Sequence, residues 1–195
     1  MLTWTGIGSI SDAAQYCLAE QLSHTVSLFK IRIYAEMKKT NALRILERNG
    51  IQYELQDYTY DPEDLDVRKI ALENGMEIRA VYKTLVAKGN KTGLLVAVIP
   101  GDKKLDRKAI AKASGNKKIN LVAIDKLEEL TGYIRGGCSP IGMKGNPPVF
   151  IDTSAQALGE IWVNAGTRGL LMKVTTSELV QLCAGNVLDI AVEPD

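Results

Sequence analysis

Residues 80–100 read AVYKTLVAKGNKTGLLVAVIP, two apolar runs on either side of Gly89-Asn90-Lys91-Thr92-Gly93. The runs 80–88 and 94–100 have the length of strands. Glycine at both ends of the polar insert lets the backbone reverse, so the stretch predicts a β-hairpin with a long turn. Lys83 and Thr84 interrupt the first run. On an edge strand such residues face water. At a cleft, Lys83 is instead a fixed cation, able to hold a phosphate or the charge that grows on an attacked carbonyl oxygen. Pattern alone leaves both readings open.

Elements of both periods surround the hairpin. Thr40 is placed to cap a helix carrying Ala42, Leu43, Ile45 and Leu46, closed by Gly50. Ile51, Tyr53 and Leu55 alternate as in a strand, and residues 58–62 lead into a loop. Val67, Ile70 and Ala71 mark a short helix ended by Gly75. After the hairpin come a lysine-rich helix over 106–113, a strand over 119–124 and a short helix over 126–130. A glycine-rich loop spans 132–145. A strand over 149–152, a helical turn or two over 154–158, strands over 161–164 and 170–174 and a helix over 177–183 complete the chain. Helices and strands mixed in this way predict a single α/β (mixed α+β) domain with a mixed, curved sheet flanked by helices.

Composition narrows the chemistry. The chain has 195 residues, a net charge of +1 and an ordinary balance of 46% hydrophobic and 24% charged residues. Cys17, Cys138 and Cys183 are too far apart for a CxxC pair and read as reduced thiols. The N-terminus lacks a secretory pattern and no apolar run reaches membrane-spanning length, so a cytoplasmic protein without a membrane partner is expected. The single histidine, His24, lies in an unusual N-terminal stretch, which argues against Ser-His-Asp or Cys-His catalysis and against His-ligated metal. No metal or cofactor is expected. Residues 1–36 read as an N-terminal extension of unknown role, either from upstream translation or cloning or as an added helix. Met37-Lys38-Lys39-Thr40 resembles a natural start, which gives a domain over 37–195.

Two further segments bear on chemistry. In Gly132-Tyr133-Ile134-Arg135-Gly136-Gly137-Cys138-Ser139-Pro140-Ile141-Gly142, paired glycines let the backbone approach a ligand and turn N–H groups toward it. The segment reads either as a tight connection or as an oxyanion-binding loop. Its resemblance to a phosphate-binding P-loop fails because Met143 stands where lysine is required. Cys138 has no histidine nearby in sequence to activate it and reads as a wall residue. Asn164-Ala165-Gly166-Thr167-Arg168-Gly169 is either a simple hairpin turn or a polar contact for a substrate through Asn164 and Arg168. The basic stretch Lys103, Lys104, Arg107, Lys108, Lys112, Lys117 and Lys118 is a solvated helix face or a site for a phosphate backbone.

The segments Val81-Tyr82-Lys83-Thr84-Leu85, 132–142 and 164–169, in that order, resemble the YbaK/EbsC family. The resemblance extends to 40–61 and 94–101 and covers about residues 37–193. It implies a partly barrel-like sheet and a free-standing relative of the editing domain of prolyl-tRNA synthetases. The implied activity is deacylation of Cys-tRNA(Pro), and of Cys-tRNA(Cys). The implied partners are aminoacylated tRNA(Pro) and prolyl-tRNA synthetase, and not DNA. Lys83 matches the family's functional lysine, and Tyr58 the tyrosine before its first long loop, a pocket wall. Gly136, Gly137, Ser139 and Pro140 match the Gly-Gly-x-Ser-Pro segment. Asn164 stands where relatives often have serine. Catalytic roles thus fall on Lys83, Gly136 and Gly137, and substrate contacts on Tyr58, Thr84, Cys138, Ser139, Pro140, Asn164 and Arg168. An aromatic found in some relatives after the Asp-Pro is absent, with Leu65 or Asp66 in that region. Two other readings stay open: an Ala-tRNA(Pro) deacylase using water, and a non-catalytic module that binds tRNA or a nucleotide.

Overall fold

β2 (Tyr82–Gly89) and β3 (Gly93–Pro100) pair antiparallel along their whole length, from Tyr82 opposite Pro100 to Gly89 opposite Gly93, in the computed structural model, which describes residues 39–194. Asn116 holds the turn between them. Its Oδ1 accepts from the N–H groups of Lys91 (2.8 Å) and Thr92 (3.2 Å), and its Nδ2 donates to Thr92 Oγ1 (2.7 Å). A Cβ on Gly89 would lie 2.4 Å from the Asn116 side chain, so only glycine fits there.

β3 is the middle strand of a five-stranded sheet in the order β5 (Ile119–Leu121), β2, β3, β6 (Val149–Asp152), β9 (Asn186–Leu188), which explains why its run lacks alternation. β5 pairs antiparallel with β2, while β6 runs parallel to β3 and β9 parallel to β6. Ala87, Leu95, Ala97 and Ile99 face one side of this sheet. Ile110 and Ala111 of α3 (Arg107–Ala113) cover them. Asp106 starts α3 by accepting from the Lys108 (2.8 Å) and Ala109 (3.0 Å) amides. Burying each Leu or Ile in this layer contributes about 1.5–3 kcal/mol.

A second sheet, β1-β8-β7, is formed by Glu54–Asp57, Leu170–Thr175 and Glu160–Asn164. Its register sets Glu54 opposite Lys173, whose ammonium lies 2.6 Å from the Glu54 carboxylate. A parallel bridge between Val81 and Trp162 joins it to the first sheet. A two-stranded ribbon pairs β4 (Lys104–Leu105) with β10 (Ala191–Val192). The remaining helices are α1 (Asn41–Arg48), α2 (Val67–Glu73), α4 (Ile124–Thr131), α5 (Ser154–Leu158) and α6 (Thr176–Cys183). Asp152, at the end of β6, is buried and accepts from the amides of Ile190 (3.0 Å) and Ala191 (2.9 Å). It thereby anchors the C-terminal segment.

The chain is a mixed α/β domain, as expected; no sheet closes into a barrel among the described residues. The reason is local. β5 pairs with β2 only at Ala87–Gly89 and leaves the Lys83–Leu85 edge without a strand partner. The expected extension at 1–36 lies outside the described residues.

Candidate active site

Segments far apart in sequence converge on a cavity of about 320 Å³ beside that open edge. β2 supplies Lys83 and Thr84, the loop after α4 supplies Gly136 and Cys138, and the end of β7 supplies Asn164. Tyr58 enters just past β1, where its N–H donates to the Gly169 carbonyl at 2.9 Å.

The carbonyl of Gly136 is clamped from two sides. Asn164 Nδ2 donates to it at 2.9 Å and the Tyr58 hydroxyl at 3.3 Å. Asn164 Oδ1 in turn accepts from the Gly166 amide at 2.7 Å, so the β7–β8 turn fixes the amide that fixes the loop. Gly136 sits at φ +78, and a Cβ there would meet Leu65 Cδ1 at 2.8 Å. A side chain would therefore be both strained and obstructed. The Gly136 N–H makes no hydrogen bond among the described residues. The Gly137 N–H donates to the Ile134 carbonyl at 3.0 Å and is thus already engaged.

Lys83 donates from Nζ to the Gly101 carbonyl at 2.9 Å and is half-buried. Burial pushes its pKa down; the carboxylates of Asp66 and Asp102 oppose that shift, and Arg68 adds to it. Arg68 donates to the Asp102 carbonyl at 2.6 Å and so steadies the turn that holds the lysine. Next along the strand, Thr84 Oγ1 is buried without a hydrogen-bond partner. The water-facing reading therefore does not hold: the strand edge is open at Lys83 and Thr84, but Lys83 is half-buried on the Gly101 carbonyl and the Thr84 hydroxyl is buried.

Burial raises the Cys138 thiol to about 11, so it stays protonated near neutrality. Its Sγ lies 3.5 Å from the Ile134 carbonyl. Tyr58 is likewise raised by burial, so its hydroxyl remains a hydrogen-bond donor. Among the described residues no group of three His, Cys, Asp or Glu side chains is arranged to hold a metal, and no helix is long and apolar enough to cross a membrane.

Ser139 and Pro140 do not reach the cavity. Ser139 is fully buried and its Oγ accepts from the Ile141 amide at 3.3 Å, while the Pro140 carbonyl accepts from Cys183 Sγ at 3.5 Å. Both shape the loop rather than its open surface. Arg168 is also off the wall. Its Nε donates to the Arg135 carbonyl at 2.7 Å and braces the Gly136 loop from behind. Arg135 itself lines the cavity, as do Leu65, Leu121 and Ile124, none of which the sequence reading assigned to it.

Comparison with known proteins fits this geometry. The sequence profile of the aminoacyl-tRNA editing domain matches residues 61–182, more than half of the chain. A protein of Enterococcus faecalis (strain ATCC 700802 / V583), provisionally named Cys-tRNA(Pro)/Cys-tRNA(Cys) deacylase EbsC, is 42% identical over 156 residues, 80% of this chain and 95% of that one. The proline–tRNA ligase of Pelotomaculum thermopropionicum (strain DSM 13744 / JCM 10971 / SI) is 31% identical over 71 residues, 36% of this chain and 12% of the ligase. A crystal structure described provisionally as a trans-editing enzyme for prolyl tRNA synthetase shares the fold, with a TM-score of 0.67 and 24% identity. It matches over 80% of this chain and 99% of that one.

Proposed function

The chain belongs to the aminoacyl-tRNA editing domain family, and from that premise we propose that it is a trans-acting deacylase of mischarged Cys-tRNA(Pro), and of Cys-tRNA(Cys). A synthetase pocket separates amino acids of similar size by only about 1–3 kcal/mol, which is why a second site for the wrong product is needed. The cavity, at about 320 Å³, is near the lower end of ligand-pocket sizes and suits an aminoacyl end.

The observation that carries the mechanism is a cavity whose own thiol, Cys138, is held protonated by burial at about 11. No histidine stands among the described residues that line it. We propose that the nucleophile is the substrate's own, a reading that the likeness to a protein provisionally named as a Cys-tRNA deacylase supports. The cysteinyl sulfur attacks its ester carbonyl carbon and a C–S bond forms as the carbonyl electron pair moves to oxygen. Collapse breaks the C–O bond to the ribose. The tRNA hydroxyl leaves with the proton the thiol gave up, and a cyclic thioester remains. Holding the sulfur close to the carbonyl supplies most of the rate, since well-oriented intramolecular reactions reach effective molarities on the order of 10⁵–10⁸ M.

The roles follow from position. The Gly136 N–H, which makes no hydrogen bond among the described residues, is assigned to the developing oxyanion; the carbonyl of its own peptide, that of Arg135, accepts from Arg168 Nε at 2.7 Å, and the Asn164–Tyr58 clamp on the Gly136 carbonyl holds the next peptide of the loop. Gly137 allows close packing of the loop, because a Cβ there would lie 3.3 Å from the backbone of Thr167 and Arg168. The Lys83 ammonium, tethered by the Gly101 carbonyl, anchors or polarises the ester. The Thr84 hydroxyl, buried and unpartnered, offers the substrate a hydrogen bond. The working partner is tRNA(Pro) as charged by prolyl-tRNA synthetase in the cytoplasm, with residues 37–195 as the editing domain. The test is deacylation of Cys-tRNA(Pro) by the purified chain and by Lys83→Ala, with folding followed by circular dichroism. A folded variant with near-normal turnover removes Lys83 from the mechanism.

A further inference from the structure

A shallow groove lies directly beside the cavity and shares Leu121 and Val122 with it. Three lysines, Lys88, Lys118 and Lys126, line it together with Asn90 and Asn120, and no acidic residue stands among the described residues of its wall. We propose that this groove binds the phosphates of the 3′-terminal strand of the tRNA whose aminoacyl end occupies the cavity; the proposal rests on the deacylase reading and adds the surface that receives the nucleic acid.

The strand geometry makes groove and cavity one path. Lys88 stands opposite Asn120 in the β2–β5 pairing, so the two side chains share a face. Lys118, two residues before Asn120, projects to that face as well. Along β2 the same alternation aligns Thr84, Val86 and Lys88. Thr84 lies at the cavity and Lys88 in the groove, so four residues at the strand rise put them roughly 13 Å apart. A few nucleotides of single strand cover that distance.

The groove is also preformed. Asn90 Oδ1 accepts from the amides of Lys117 (2.9 Å) and Lys118 (3.1 Å), and the Asn90 N–H donates to the Lys118 carbonyl at 3.1 Å. The hairpin turn thereby fixes the backbone that carries Lys118. Glu129 competes for Lys126 at 3.5 Å, in a pair exposed on both sides. Such surface pairs are weak, and a phosphate can displace them. Lysines act as point charges on phosphate without reading bases, which fits a strand end recognised by its backbone. The basic residues of α3 belong elsewhere. Ile110 and Ala111 seat that helix on the opposite face of the sheet, over Ala87, Leu95 and Ala97.

The test uses a fluorescently labelled RNA hairpin ending in single-stranded CCA and full-length protein. Binding is followed by anisotropy across a salt series for the wild type, for the Lys88→Ala/Lys118→Ala/Lys126→Ala variant, and for Lys108→Ala/Lys112→Ala as control. The triple variant should bind at least tenfold more weakly. Its slope of log affinity against log salt should be shallower by about 2, because each single-strand phosphate that a lysine neutralises adds about 0.7 to that slope. The control should match the wild type. Equal affinity and slope in wild type and triple variant, or no binding by the wild type, overturns the groove. Deacylation of Cys-tRNA(Pro) by the wild type is scored separately. If it is absent while RNA binding depends on the three lysines, the deacylase reading falls and the groove stands as an RNA site.

Discussion

Replacing Asn164 with alanine removes the hinge pin of the proposed oxyanion site. Beside a longer hydrogen bond to the Tyr58 hydroxyl at 3.4 Å, the amide makes two short ones, to the Gly136 carbonyl at 2.9 Å and from the Gly166 amide at 2.7 Å. At about 1 kcal/mol net for each, the loss is about 2 kcal/mol of stability. In a domain of this size that lowers Tm by about 4–8 °C. The catalytic effect should be larger. With the Gly136 carbonyl released, the 136–137 peptide and the loop that carries the adjoining Gly136 N–H drift, and a displacement of about 1 Å costs on the order of 100-fold in rate. Asn164→Asp tests the donor itself. It keeps an acceptor for Gly166 but turns a second acceptor toward the Gly136 carbonyl. Its stability and its rate should both fall at least as far as those of the alanine variant. Thermal unfolding gives the first quantity and single-turnover deacylation of Cys-tRNA(Pro) the second. A wild-type rate for Asn164→Asp would refute the claim that this clamp positions the loop that carries the proposed catalytic amide.

Three further outcomes follow from the same site. Cys138→Ala should keep most of the deacylation rate, because a thiol raised to about 11 by burial supplies no nucleophile; loss of activity in a folded variant would assign the cysteine a chemical role. The rate profile against pH should rise as the substrate thiol ionises, near about 8.5, and then fall below the ordinary lysine value of 10.5 as Lys83, its pKa lowered by burial, loses its proton. That alkaline fall should be absent in Lys83→Arg, whose guanidinium stays charged; its persistence would assign the limb to another group. Asp152→Ala should destabilise the fold by about 2 kcal/mol or more, since it strands the Ile190 and Ala191 amides, and chemical denaturation measures this; an unchanged midpoint would contradict the anchoring role.

The parts legible in sequence are those set by local chemistry. The hairpin at 80–100 is readable because two apolar runs bracket a polar, glycine-flanked turn, and α1 and α3 because Thr40 and Asp106 are good caps. What failed depends on distant partners. The strand expected from Ile51, Tyr53 and Leu55 begins at Glu54, because pairing with β8 sets its register. β9 and β10 are three and two residues long and exist only through β6 and β4. α4 starts at Ile124, two residues before the expected 126, with no capping side chain at Ala123 to announce it. The site divides the same way. Lys83, Thr84, Gly136, Cys138, Asn164 and Tyr58 meet in one cavity, whereas Ser139 and Pro140 are turned inward by the loop they build. Arg135 and Leu121 carry no signature in sequence, since only the convergence of segments far apart in the chain makes them walls.

The central claim is that the substrate supplies its own nucleophile in a cavity that offers none. The most direct measurement is the single-turnover rate of the purified chain on Cys-tRNA(Pro), Ala-tRNA(Pro) and Pro-tRNA(Pro) under identical conditions. The account predicts rapid clearance of the cysteinyl ester, slow loss of the alanyl ester, which lacks the thiol, and no reaction of the prolyl ester. Equal rates on the cysteinyl and alanyl esters would contradict it and assign the attack to water.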